Sequence, residues 1–224
     1  CIRDSINGCS SNFDFSITEP SVLTVDAFVL SDYNGNDISC FGENDGSVYA
    51  IYSGGVGGYS VEWTPGMQTT DTTLNNLNAG IYTATVIDSN NCITQDSIEV
   101  IEPDLLNTID SVVNVSCFEG NDGEIYLSPT GGTPGYSFIL ISNGSSIDQE
   151  VLDLNSGLYI IQTTDTNGCT TMNDIFVSQP LLPVSMEESH IDVGCFGEST
   201  GSIDLSVAGG TPPYTYLWSN LATT

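Results

Sequence analysis

The sequence predicts an all-β protein: tandem immunoglobulin-like β-sandwich repeats of about 77 residues, arranged as an elongated rod. Three observations carry that expectation. Landmark residues recur in one frame along the 224 residues. Apolar and polar residues alternate with period two, and no segment sustains the 3.6-residue pattern of a helix. Gly (23 residues), Ser, Thr, Asn and Asp are plentiful, whereas strong helix formers are scarce.

The frame is set by Cys40, Cys117 and Cys195, which are 77 and 78 residues apart. Gly46, Gly123 and Gly201 follow at one fixed offset, then Gly54-Gly55, Gly131-Gly132 and Gly209-Gly210, then Tyr59, Tyr136 and Tyr214. Further on come Gly80 and Gly157, Tyr82 and Tyr159, Cys92 and Cys169, and Pro103 and Pro180. Cys9 to Pro20 fits the end of an earlier copy. We therefore expect the C-terminal part of one repeat over 1–20, complete repeats over 21–103 and 104–180, and the N-terminal part of a further repeat over 181–224. Starting inside one copy and stopping inside another, the chain reads as a piece of a longer protein. The first full copy carries extra residues before Cys40, and Tyr33-Asn34-Gly35-Asn36-Asp37 reads as a turn-rich insertion.

Six or seven strands are expected per copy. Ser47–Ile51, Gly123–Leu127 and Ser202–Val207 occupy one phase and alternate as half-buried strands do. A Gly-Gly turn follows, then an aromatic strand: Tyr59–Trp63, Tyr136–Leu140 or Tyr214–Trp218. Gly80-Ile81-Tyr82 and Gly157-Leu158-Tyr159 open another strand. The last strand is expected to bury Phe15 and Ile17, Ile98 and Val100, or Ile175 and Val177. The order Cys40…Trp63…Cys92 imitates an antibody domain only superficially, because neither cysteine falls within a strand.

Charge excludes several functions. One Lys/Arg (Arg3) against 29 Asp/Glu gives a net charge of −28. Such a chain cannot neutralise phosphates, so nucleic acid is excluded as a partner, and an anionic membrane surface would repel it. Without lysine there is no Schiff-base chemistry. A single histidine, His190, cannot build a His-rich zinc site and reads as a surface residue of a linker. No apolar run reaches the roughly 18 residues of a membrane-spanning helix. The negative surface would resist self-association and edge-to-edge strand pairing.

The seven cysteines point to an oxidising compartment, and none forms C-x-x-C. A sandwich of about 77 residues has a marginal core, so a covalent staple would help. We expect bonds within each copy, Cys40–Cys92 and Cys117–Cys169, each closing about 52 residues for roughly 4 kcal/mol. The rival pairing crosses copies: Cys9–Cys40, Cys92–Cys117 and Cys169–Cys195. Which one holds depends on which end of the sandwich each cysteine occupies. Cys1 lies where other copies have Ala84 and Ile161, and is expected to be a free buried thiol.

No catalytic or metal site is expected, and no cofactor. Asn44-Asp45-Gly46 and Asn121-Asp122-Gly123 could ligate calcium. A plain turn is favoured, because the third copy has Ser199-Thr200-Gly201 and loses the carboxylate. Tyr59, Tyr136, Tyr214, Trp63 and Trp218 could form a sugar platform, but recurrence within a strand favours packing. Ser and Thr abound with no His or Lys base in each copy, so the chain is not expected to be an enzyme.

Cys195-Phe196-Gly197-Glu198-Ser199-Thr200-Gly201-Ser202-Ile203, followed by Gly209-Gly210-Thr211-Pro212-Pro213-Tyr214-Thr215-Tyr216-Leu217-Trp218-Ser219-Asn220, closely resembles the SprB repeat. So does the closing signature, Gly157-Leu158-Tyr159 through Asp165-Thr166-Asn167-Gly168-Cys169 to Pro180. Departures are modest: Val56 and Gly57 replace the usual Thr-Pro, and Leu140 stands where Trp is typical. The resemblance covers essentially the whole chain. It implies a structural segment of a large cell-surface adhesin filament in gliding motility and attachment, exported by the type IX secretion system. The implied partners are further repeats of the same chain, the secretion and gliding machinery, and an extracellular surface or polysaccharide. A glycan-binding module or the stalk of a secreted enzyme is the alternative. Bacteria of this kind also attach O-glycans at Asp-Ser/Thr-apolar (or Thr) triplets, which here would place them on Ser5, Thr72, Ser97 and Ser111.

Overall fold

A computed structural model describes residues 2–3, 10–11, 13–65, 71–220 and 222–223. Those residues contain strands and turns and no helix. They fall into two compact units, one of Cys1–Ile38 with Gly42–Glu102, the other of Ser39–Phe41 with Pro103–Thr224. At the start of the first unit, β1 (Ile2–Arg3) pairs with β2 (Ser10–Ser11).

The sandwich of the first unit has six strands: β3 (Thr24–Val29), β4 (Gly46–Ser53), β5 (Ser60–Thr64), β6 (Thr73–Leu77), β7 (Gly80–Ile87) and β8 (Ile93–Val100). Two antiparallel sheets form, ordered β3-β4-β6 and β5-β7-β8. Alternation dictates the core. From one sheet Val25, Ala27, Val48, Ala50 and Leu77 turn inward, and they meet Val61, Trp63, Tyr82, Ala84, Val86 and Val100 of the other. The insertion at 33–37 is a tight hairpin. The Tyr33 N–H donates to the Asn36 carbonyl at 2.7 Å, and Asn34 and Gly35 take the left-handed φ of 54° and 93°.

The sandwich of the second unit repeats this plan with seven strands: β9 (Asn107–Val113), β10 (Gly123–Thr130), β11 (Ser137–Leu140), β12 (Ser145–Ile147), β13 (Glu150–Leu154), β14 (Gly157–Thr164) and β15 (Thr170–Val177). Its sheets are β13-β10-β9 and β12-β11-β14-β15, closed over Val115, Ile125, Leu127, Phe138, Leu154, Ile161, Ile175 and Val177. A bulge recurs where β4 meets β6 and β10 meets β13. Asn76 and Asp153 bear it, at φ of 58° and 55°. Beyond Pro180 a two-stranded ladder follows, β16 (Ser185–Ile191) with β17 (Ser202–Ala208).

The two sheets of each sandwich are also tied along one edge. The Ala27 N–H on β3 donates to Asp96 Oδ2 on β8 at 2.8 Å. In the same phase Asn173 Nδ2 on β15 donates to the Thr108 carbonyl on β9 at 2.8 Å. Burial of the last strand corrects one expectation. Val100, Ile175 and Val177 are buried and Ile98 is half-buried, but Phe15 and Ile17 stand exposed. An alternating segment buries its apolar face only against a second sheet, and no described residue covers these two.

Candidate functional site

The most heavily built region of each copy is its leading end, where the incoming linker meets the Gly-Gly turn. Gly55 N–H donates to the Ser21 carbonyl at 2.9 Å, Gly132 N–H to Asp104 at 2.7 Å, and Gly210 N–H to Leu182 at 2.9 Å. The preceding glycine lets the backbones approach so closely. A Cβ at Gly54, Gly131 or Gly209 would lie 1.9, 2.1 or 1.9 Å from the carbonyl oxygen of Val22, Leu105 or Pro183. All three take positive φ, which disfavours a side chain independently. A tyrosine pins the same turn: the hydroxyls of Tyr59, Tyr136 and Tyr214 donate to Gly54, Gly131 and Gly209 carbonyls at 2.6, 2.8 and 2.6 Å. Trp63 is 2% exposed in the core. Trp63 thus packs in the core and the three tyrosines lock turns, Tyr59 with its ring partly exposed; Trp218 is half-buried.

Two buried aspartates complete this end, and no motif in the sequence assigned them a role. Asp88 Oδ2 accepts the Val56 N–H at 2.9 Å, while its Oδ1 accepts those of Asn90 and Cys92, both at 2.9 Å. Asp165 repeats the clamp: Oδ2 takes the Thr133 N–H at 2.7 Å, and Oδ1 those of Asn167 and Cys169 at 2.9 Å. Each carboxylate joins the turn after the Gly-Gly pair to the turn bearing the second cysteine. The Val56 donor, ahead of those from Cys92 and Asn90, holds the Asp88 carboxyl below its ordinary range, against burial that would raise it. The signal in the sequence was an Asp four residues before Cys92 and Cys169 within a run of turn formers.

The trailing end carries the first cysteine. The loop around Cys40 folds over the residues that follow β8: Asp37 Oδ2 accepts the Ile101 N–H at 2.8 Å, and Glu102 Oε2 accepts the Gly42 N–H at 2.6 Å. The loop around Cys117 does the same past β15. Asn114 Oδ1 accepts the Ser178 N–H at 2.9 Å, and Gln179 Oε1 accepts the Glu119 N–H at 2.9 Å. The neighbouring Asn-Asp-Gly turn locks itself. Asp122 Oδ1 accepts the Ser116 N–H at 2.9 Å, and in the third copy Thr200 Oγ1 accepts the Gly194 N–H at 3.2 Å. Ser116 holds the Asp122 carboxyl below its ordinary range. Carboxylate and hydroxyl thus serve one turn interchangeably. No cluster of three metal-ligating side chains occurs among the described residues.

These two ends decide the cysteine pairing, and both pairings expected from the sequence need correcting. Cys40 bonds to Cys169, with Cα atoms 5.7 Å apart, and not to Cys92; Cys117 does not bond to Cys169. The bond lies inside the second unit, to which Ser39–Phe41 belong. Cys92, Cys117 and Cys195 are exposed free thiols. Of the rival pairing, Cys92–Cys117 and Cys169–Cys195 are not formed, and Cys9 and Cys1 lie outside the described residues. The reason is distance. The second cysteine stands just before the eight-residue last strand and the first cysteine's loop stands just past its end. Eight residues of strand span about 25 Å, and a disulfide needs Cα atoms within about 7 Å.

The remaining candidates scatter. Ser97 is exposed on β8, with its hydroxyl 2.8 Å from that of Thr83, and Ser111 is exposed on β9. Thr72 is half-buried beside β6, its carbonyl taking the Ala50 N–H at 2.9 Å, and Ser5 lies outside the described residues. His190 sits on β16, not in a linker, exposed with Nδ1 3.0 Å from Glu188 Oε2. No helix among the described residues is long and apolar enough to cross a membrane.

Small antiparallel sandwiches copied in tandem, joined through identically built turns, define a repeat protein. The SprB repeat model matches residues 33–68, 109–145 and 191–223, and the chain belongs to the SprB-repeat family. It is a repeat segment of a surface adhesin-like protein. Repeats of this family are typical of cell-surface proteins, and a disulfide fits an extracellular one. No curated protein matches the chain.

Proposed function

We propose that this chain is a load-bearing stretch of a large secreted adhesin filament, acting in gliding motility and surface attachment and catalysing no reaction. The single observation behind this reading is the leading-end construction. Linker, Gly-Gly turn and tyrosine lock recur in three copies, so chain always enters a sandwich at one end, and in the two full copies it leaves past the last strand at the other. Tension on the chain therefore runs along the strands. It loads the β3–β4 and β7–β8 ladders, of six and eight residue pairs, in shear, so that many hydrogen bonds must fail together. The acidic surface keeps such a chain dispersed. In this reading the partners are further repeats, the type IX secretion and gliding machinery, and an extracellular surface or polysaccharide.

Single-molecule pulling between the ends of the chain tests the reading. Unfolding is expected in discrete high-force steps, one per sandwich once the disulfide is reduced. Under oxidising conditions the 129-residue span closed by Cys40–Cys169 is withheld, about 430 Å of extended chain. Smooth extension at low force would refute a load-bearing role. O-glycans on Ser97 and Ser111, both exposed, belong to the same proposal. Intact-mass analysis of native protein should show added sugar, and an unmodified mass would remove it.

A further inference from the structure

The Cys40–Cys169 bond joins the first cysteine of one copy to the second cysteine of the copy that follows it in sequence. The turn and the loop that hold the two bonded cysteines recur where their equivalents stand unbonded. Cys92 sits in the same turn as Cys169, four residues after a clamped aspartate, with its N–H on Asp88 as that of Cys169 is on Asp165. Cys117 sits in the same loop as Cys40, anchored through Gln179 as the Cys40 loop is through Glu102. Just past Gln179 the linker reaches a third Gly-Gly turn, where Gly210 takes the Leu182 carbonyl as Gly132 takes that of Asp104. The chain thus leaves the Cys117 end and enters the next copy with the backbone contacts it uses between Cys40 and the copy containing Cys169. Cys92, Cys117 and Cys195 are exposed thiols, open to a partner.

We propose that the array obeys one covalent rule: the first cysteine of every copy bonds the second cysteine of the next. Cys92 then takes the first cysteine of the preceding copy, while Cys117 and Cys195 take the second cysteines of the two copies after their own. Each bond forms as two thiols surrender two protons and two electrons to a protein disulfide of the exporting compartment, which leaves as a dithiol. The rule deepens the filament reading and rests on it, since the partners of these three thiols are further copies. Its mechanical consequence is specific. The closed spans overlap, because Cys117 lies inside the span from Cys40 to Cys169. Tension can cross from Cys40 to Cys169, run the 26 residues to Cys195 through β15 and cross again, so the strands of that sandwich before β15 lie off the load path. A fibre bonded this way is limited in length by covalent links as well as by hydrogen bonds.

The test uses the full native parent protein. Free thiols are alkylated with iodoacetamide under denaturing, non-reducing conditions; peptides are then mapped before and after reduction. Cys92 and Cys117 should escape iodoacetamide and appear in peptides joined to cysteines of the preceding and the following copy. Alkylation of both, with Cys40–Cys169 intact, overturns the rule and leaves the filament reading standing. A Cys92–Cys117 peptide overturns it equally. A parent chain without further copies would instead refute the reading on which the rule rests, and the rule with it.

Discussion

The two complete sandwiches share a backbone plan but fill their cores differently, and the differences come in compensating pairs. In the first, Trp63 on β5 lies opposite Ala84 on β7; in the second, Leu140 on β11 lies opposite Ile161 on β14. One copy sets a large residue against a small one, and the other uses two of middling size. A second exchange crosses between the sheets. Val25 and Val86 are buried in the first copy, and Thr108 and Thr163 take their places in the second, with Thr108 Oγ1 donating to Thr163 Oγ1 at 2.8 Å. What the two copies share is therefore not the residue but the filled volume. Polar pairing is not uniform, since the Thr108 and Thr163 hydroxyls satisfy each other whereas the buried Trp63 Nε1 has no hydrogen-bond partner among the described residues. The ends differ far less than the middles: the Gly-Gly turn, the tyrosine lock and the aspartate clamp are the same in both.

Splitting the larger pair should give the largest effect. Trp63→Leu leaves a void beside Ala84 and is expected to destabilise the first unit by about 3 kcal/mol. Adding Ala84→Ile reproduces the Leu140–Ile161 pair and should recover more than half of that loss. Amide exchange of β7 under increasing urea reads the unit directly. If Ala84→Ile deepens the loss, the two cores are not interchangeable solutions and the comparison fails.

The threonine pair sharpens the same point at smaller scale. Thr163→Val leaves the buried Thr108 hydroxyl without its acceptor and is expected to cost about 1–2 kcal/mol in the second unit. Thr108→Val with Thr163→Val restores the apolar pairing of Val25 and Val86, and should fall within about 1 kcal/mol of the wild type. Exchange from β14 gives both values. Additive losses in the double variant would mean that the hydroxyls have partners other than each other.

How much of this was legible in the residues follows from range. The all-β class, the frame and the aromatic strand are local patterns, and Val61, Trp63 and Phe138 are buried where period two puts them. The cysteine pairing was not legible, because it turns on which end of the sandwich each cysteine occupies. That parity appears only when the Cys40 and Cys117 loops are seen resting on the residues after the last strand. The aspartate clamp was half legible. Asp165 and its short-range turn could be read, but the Thr133 N–H it accepts lies 32 residues away. Phe15 and Ile17 show the converse failure, an apolar pattern that is correct for a strand yet exposed where no second sheet covers it.

Acid should separate the clamp from the rest of the fold with the smallest perturbation. Asp88 is buried, and its carboxyl is held below the ordinary range by the Val56, Cys92 and Asn90 N–H groups, so the folded chain binds its proton less readily than the unfolded one. The stabilisation is thus complete above the unfolded value of about 3.9 and is lost as pH falls through the lower folded value. Protection of the Asn90 and Cys92 amides against exchange, corrected for intrinsic rate, should hold at pH 5 and decline through acid. Asp88→Asn cannot supply two acceptor oxygens. It should show weaker protection at pH 5 and little further change, making acid and amide substitution equivalent. Protection in Asp88→Asn equal to that of the wild type at pH 5 would mean that the carboxylate is not what holds the turn of the second cysteine, and that the backbone bond from Asp88 N–H to the Cys92 carbonyl, 3.0 Å long, suffices alone.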